Sequence, residues 1–308
     1  MTLSRVEPRN VITTDDGRQY KKPGLGKQYL GYAAGSVVAD GMAIGLNAAA
    51  GLPFFKMIKK IPQNPIYSEA ADRVLITSGL ADKGVKIIDA VDASRPIVDN
   101  IMNNSLKSLD KYPMLKNIIK KINEITVVGP AFMGCNAFFE PKSNSIVVSK
   151  EKMGYATFHE MGHAINKNMS KYGKALQKMR TPFLLAGSLV SLIALSKRAK
   201  ADGEEPKGIY DKVTSFIKSN AGKLTFLGFV PMLMEEGLAS FNAAKMAKSV
   251  LDVKAFKTMS KFNKIAWLTY FALAAGAGLG TMLGVKIKDK IAKLQEIKHR
   301  SAMEKSLD

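Results

Sequence analysis

The order of apolar and polar segments predicts a mainly α-helical chain with a small β-sheet, embedded in a membrane by three or four transmembrane helices. Three observations carry this expectation. Apolar stretches flanked by lysine or arginine recur at 29–55, 181–196 and 265–285, and the first and last are long enough to cross a bilayer. Two runs of β-branched residues, Ile125–Gly129 and Ser145–Ser149, lie on either side of a turn signal. A His-Glu-x-x-His sequence, His159 to His163, follows in a segment of helical character.

Composition narrows the class. With 46% hydrophobic residues in 308, the chain has material for a core and is not a disordered protein. Its one cysteine, Cys135, rules out an intrachain disulfide, so nothing argues for an oxidising compartment. The net charge of +20 suits nucleic acid and an anionic membrane surface equally. The lysines are scattered, without a run interleaved with aromatics, so no nucleic-acid partner is expected. A lipid bilayer is the expected partner, and the plasma or inner membrane of a cell the expected location.

Residues 1–27 are polar and basic, with Thr14-Asp15-Asp16-Gly17 as a turn and no pattern of a secretory signal. Residues 28–55 form the first membrane helix. Asp40 near its middle must face other helices or water, and Gly31/Gly35 and Gly41/Gly45 are pairs that permit close helix contact. Residues 56–180 read as a helical scaffold with the small sheet and the histidine helix. From Pro65 to Lys121 the apolar residues Ile87, Ile88, Val91, Ile97, Ile101 and Leu106 have helical spacing, divided at Pro96 and Pro113. Ile125–Gly129, Asn136–Phe139 and Ser145–Ser149, turning at Pro141–Asn144, then read as strands. The histidine helix is expected to continue to about Lys171.

Residues 181–249 read as a membrane hairpin leading into a further helix. The apolar Thr181–Ser196 is followed by a polar stretch with a loop at Gly203-Glu204-Glu205-Pro206, then by the apolar Leu224–Met234. Pro231 is expected to kink that last helix, because it cannot donate to the carbonyl of Leu227. Residues 250–308 hold the final span, 265–285, and a basic tail. Gly276, Gly280 and Gly284 recur at four-residue spacing, a packing face for the first helix. Trp267 at the start of this span fits an interfacial anchor. Lysine and arginine are abundant in every polar segment, so orientation is not legible.

The chemistry gathers at His159-Glu160-Met161-Gly162-His163. Two histidines at i and i+4 leave the same helix face one turn apart and can share one Zn2+. Glu160 lies about 100° further round the helix, beside the metal, as a base for a bound water. A catalytic zinc needs a third protein ligand. His299 is a poor third, lying in the basic tail. Glu235 and Glu236, at the end of an apolar stretch, are expensive to bury without a cation. Glu236 is favoured, and Ser240, one turn beyond it, is placed to hydrogen-bond a ligand. Tyr155 and Tyr210 are the tyrosines considered for stabilising an oxyanion.

Asn136-Ala137-Phe138, the strand from Ser145, the His-Glu-x-x-His sequence, two apolar segments and Glu236-Gly237-Leu238-Ala239-Ser240 occur in one order. That order resembles the integral-membrane gluzincins, the group of HtpX-like proteases and CAAX prenyl proteases, over roughly residues 125–245. The ending Ala239-Ser240 and the sequence Gly162-His163-Ala164 look closer to YugP-like membrane zinc peptidases. The resemblance implies a membrane-embedded zincin with His159, His163 and Glu236 as zinc ligands and Glu160 as general base. It further implies substrate binding along Asn136, Ala137 and Phe138, with protein or peptide substrates and a role in membrane protein quality control. The sequence departs from the HtpX pattern in lacking an arginine just before Glu236 and in carrying Ser240 where that pattern has an acid. A non-catalytic membrane adaptor with a vestigial zinc site is the rival reading, and intact Glu160 argues against it.

Overall fold

The computed structural model describes residues 11–13, 19–21, 25–58, 65–197, 206 and 208–304. In order, the elements are β1 (Val11–Thr13), β2 (Gln19–Lys21), α1 (Leu25–Ile58), α2 (Ile66–Thr77), β3 (Lys86–Asp89), α3 (Arg95–Ser105), α4 (Pro113–Asn123), α5 (Gly129–Phe132), β4 (Ala137–Glu140), β5 (Ser145–Val148), α6 (Lys150–Met153), α7 (Thr157–Asn168), α8 (Lys171–Ser196), α9 (Gly208–Ser219), α10 (Ala221–Leu227), α11 (Val230–Lys248) and α12 (Val253–Glu304). The chain is mainly helical with a three-stranded sheet, and β1 and β2 pair antiparallel. The turn expected at Thr14–Gly17, the loop residues 203–205 and the side chain of His299 lie outside the described residues.

Four helical stretches, Leu30–Pro53, Lys171–Ser196, Ala221–Lys248 and Val253–Lys293, are long and apolar enough to cross a membrane. Large apolar side chains stand exposed on them, including Val37 and Ile44 on α1 and Leu185, Leu189 and Leu192 on α8. Such contiguous apolar surface is what lipid would cover. Asp40 is exposed on α1.

The described residues divide into two compact units. One comprises 48–182 and 230–271. Its sheet has the order β3-β5-β4, with β3 parallel and β4 antiparallel to the central β5. All four residues of β5 are buried, because successive side chains enter different cores. Ile146 and Val148 pack with Phe158, Met161 and Ala164 of α7, while Val147 packs with Val98, Val128 and Ala131.

Two stretches of this unit depart from the sequence reading. Ile87 and Ile88, expected in a helix, lie in β3 opposite Ile146 and Val147. Gly84, at φ 74°, ends the preceding helical turn, and the chain then pairs with β5. Ile125–Gly129, expected as a strand, is a π-helical turn joining α4 to α5. Gly129 N–H donates to the carbonyl of Glu124, five residues back, and the Glu124 carboxylate pairs with Arg95 at 2.6 Å. A five-residue apolar run does not distinguish a strand from a short buried helical turn by periodicity.

Pro96 and Pro113 sit in the first turns of α3 and α4, where a missing N–H breaks no helical bond. The histidine helix ends at Asn168, not at Lys171. Ser170 accepts a hydrogen bond from Gly173 N–H and opens α8, and Gly173 lies so close to Asn166 that a β-carbon there would be 2.7 Å from its Cα.

The other unit comprises 1–47, 183–229 and 272–308. Here the glycines of α12 meet α1. A β-carbon on Gly276 would stand 2.8 Å from the Met42 carbonyl oxygen, one on Gly35 2.7 Å from that of Gly284, and one on Gly280 would overlap the Ala39 carbonyl. Gly41 and Gly45, expected to share this role, face open space. Pro231 produces no kink within a continuous helix. The chain breaks between α10 and α11, and Pro231 falls in the first turn of α11.

Candidate metal centre

α7 and α11 cross at Gly162 and Ala239, where a β-carbon on Gly162 would overlap the Ala239 carbonyl oxygen. Only glycine allows the two backbones this approach. It brings the histidine face of α7 onto Glu235 and Glu236 of α11, and His159, Glu160, His163 and both glutamates are buried.

Three donor atoms converge there. His159 Nε2 lies 3.1 Å from His163 Nε2 and 3.2 Å from Glu236 Oε2, and His163 Nε2 lies 3.5 Å from that same oxygen. One ligand atom from each of His159, His163 and Glu236 fits within 4.8 Å, a group that could hold a metal ion.

Glu235, the other candidate third ligand, turns away from this point. Its carboxylate accepts from His163 Nδ1 at 2.8 Å, from Asn166 and Gln177 at 2.9 Å each, and from Arg180 at 3.3 Å. The second Arg180 nitrogen reaches Glu236 Oε1 at 2.9 Å. Ser240 Oγ lies 3.3 Å from His159 Nδ1. With both Nδ1 atoms occupied by outer partners, both Nε2 atoms are turned inward, the arrangement by which metal-binding imidazoles are held.

The electrostatics favour a cation. Burial opposes charge on His163, but the carboxylates of Glu236 and Glu235 outweigh it and hold the ring well above its ordinary pKa. Burial pushes the Glu160 carboxyl up, against the pull of His163 and His159 and together with repulsion from the other two glutamates. No hydrogen bond to the Glu160 carboxylate is made among the described residues.

The remaining expected residues are dispersed. Ala137 and Phe138 lie on β4, the sheet edge against α7, opposite Val148 and Val147, and Asn136 immediately precedes them. Tyr155 is buried between Tyr67 and Phe262 with its hydroxyl on Met153 sulfur, and Tyr210 is exposed on α9. Neither joins the cluster. Tyr270 of α12 lies within electrostatic reach of Glu236, Arg180, Glu160 and Glu235. Within an otherwise uncharged stretch, nothing in the sequence marks it. Arg180, Gln177 and Asn166 were equally unmarked, since each reaches Glu235 only through the tertiary fold.

Beside the cluster is a groove of about 480 Å³ lined by Ser240, Phe241, Asn263 and Trp267. Trp267 N–H donates to the Leu233 carbonyl at 3.0 Å, while both polar atoms of the Asn263 side chain are buried without a partner. Comparisons with protein-family models, with curated proteins and with solved structures return no match.

Proposed function

We propose that this chain is a membrane-anchored, zinc-dependent endopeptidase, with His159, His163 and Glu236 as metal ligands and Glu160 as general base. The convergence of two imidazole nitrogens and one carboxylate oxygen in a buried site carries the reading. Ligands about 2.0–2.1 Å from a tetrahedral zinc lie roughly 3.3–3.4 Å apart. The observed separations of 3.1, 3.2 and 3.5 Å bracket that value. A bound zinc would supply a Lewis acid that acidifies water and polarises a carbonyl.

The chain's own residues divide the remaining work. Glu160, whose carboxylate accepts no hydrogen bond among the described residues, takes a proton from the attacking water and returns it to the leaving amine. Glu235 and Ser240 orient the two imidazoles, and Arg180 holds Glu236. The free edge of β4 offers backbone groups to an extended peptide, which would add as a further strand over Asn136–Phe138. The four apolar helices support an anchor in the membrane, so substrates would be membrane or membrane-adjacent proteins.

The test is zinc content and casein cleavage of detergent-purified chain. Wild type is expected to hold zinc and cleave. Glu160→Gln is expected to retain zinc and lose about 10²–10⁴-fold in rate, and Glu236→Gln to lose zinc. A wild type without zinc overturns the reading.

A further inference from the structure

The groove beside the cluster runs between α11, from Gly237 to Ala244, and the stretch of α12 that carries Asn263, Lys264, Trp267 and Leu268, all within one compact unit. We infer that it binds an extended segment of a polypeptide substrate. It grips the backbone of one residue and favours an apolar side chain with an acidic residue next to it. The inference rests on the peptidase reading in calling that polypeptide a substrate, and the binding itself requires no metal.

Asn263 carries the argument. It is only 3% exposed and lines the groove, yet its amide nitrogen and its amide oxygen are both without a hydrogen-bond partner. Buried carboxamides are ordinarily paired, and this one presents donor and acceptor together. An acyl chain would satisfy neither, and the ester and phosphate oxygens of a phospholipid only accept. One residue of an extended chain points its N–H and its carbonyl to the same side, and so satisfies both.

The other walls set what flanks that residue. Phe241 and Leu268 line the groove while 67% and 51% exposed. Trp267 has its N–H committed to the Leu233 carbonyl and offers only ring surface. Together they suit one bulky apolar side chain. Lys264 makes no ion pair among the described residues, and no acidic side chain lines the groove. Its charge therefore selects an acidic neighbour in the occupant.

Position ties the groove to the metal centre. The rise of α11 from Gly237 to Ala244 is about 10 Å, room for about three residues of extended chain. Gly237 directly follows Glu236, and Ser240 lies 3.3 Å from His159 Nδ1. That nitrogen is on the outer side of the imidazole, so a segment held here lies beside the candidate ligands and not across them. It would hold the substrate chain on one side of the scissile bond.

The test uses the full-length Glu160→Gln chain in phosphatidylcholine bicelles, so that no peptide is cleaved, and reads the emission of Trp267, the one tryptophan of the chain. Acetyl-Ala-Phe-Glu-Ala-amide is expected to shift that emission saturably. The same peptide with lysine in place of glutamate should bind about two- to fivefold more weakly, and Lys264→Glu should reverse this preference. Asn263→Leu, and an ester analogue lacking the phenylalanine N–H, should each weaken binding about tenfold, and together little more than either alone. An ester that binds as well as the amide, or undiminished binding to Asn263→Leu, would make the groove a seat for an acyl chain and overturn the inference. A charge preference that survives Lys264→Glu would overturn the acidic specificity. Zinc and casein cleavage in wild type without a Trp267 response would overturn the groove alone. A response in a chain that holds no zinc would support the groove and overturn the peptidase.

Discussion

His163 Nδ1 and the Glu235 carboxylate lie 2.8 Å apart, and this contact turns the opposite ring nitrogen towards His159 and Glu236. Adjacent glutamates therefore serve different purposes: Glu236 joins the candidate ligands, while Glu235 accepts from His163, Asn166, Gln177 and Arg180.

Glu235→Gln should accordingly weaken zinc binding by about 10–100-fold without removing a ligand. Glu235→Ala should also cost about 3–5 kcal/mol of stability, because it strips a buried charge from its partners. Chelator competition and thermal unfolding in detergent separate the two effects. Unchanged zinc affinity in Glu235→Gln would show that the imidazole is oriented otherwise.

Gly162→Ala places a methyl group on the Ala239 carbonyl and wedges α7 from α11. A loss of about 1–3 kcal/mol is expected, as for other overpacked contacts, together with weaker metal binding although all ligands remain. Thermal unfolding with and without added zinc checks this. Equal metal affinity would mean that the helices adjust without separating the donors.

How much of this was legible follows from the range of each signal. The spacing of His159 and His163 depends on helix geometry alone, and Glu236 stood out as a carboxylate ending an apolar run. The outer contacts of Arg180, Gln177 and Asn166 were hidden because two other helices, α7 and α8, deliver them to Glu235 on α11. Local pattern also failed at Ile87–Ile88 and Ile125–Gly129. Pairing with β5 decided the first, and the bond from Gly129 to Glu124 marks the second as a π turn. The glycine spacing on α12 was readable, but which glycines of α1 answer it was not. Gly35 meets Gly284, while Gly41 and Gly45 meet nothing.

That contrast is itself testable. Gly280→Val should destabilise the detergent-solubilised protein by about 1–3 kcal/mol, whereas Gly45→Val, into open space, should stay within about 0.5 kcal/mol. Similar shifts in the two melting temperatures would contradict the packing of α12 on α1.

Asn263 is buried beside the groove with neither amide atom satisfied. Asn263→Leu should leave stability unchanged or raise it by about 1–3 kcal/mol, yet lower kcat/KM on casein if a peptide group is its partner. Unfolding and steady-state kinetics on the same preparation separate these. A fall in stability would reveal a structural partner instead.

The buried centre also has a charge balance. Fully ionised, Glu160, Glu235 and Glu236 carry three negative charges, and Arg180 contributes one positive charge. A divalent ion makes the group electroneutral; a monovalent ion leaves a deficit and a trivalent one an excess. Without the metal, neutrality requires two protons, and His163 is a ready acceptor for one. Release of such an ion would thus be coupled to proton uptake, and acidification would compete for this site as a chelator would compete for the ion.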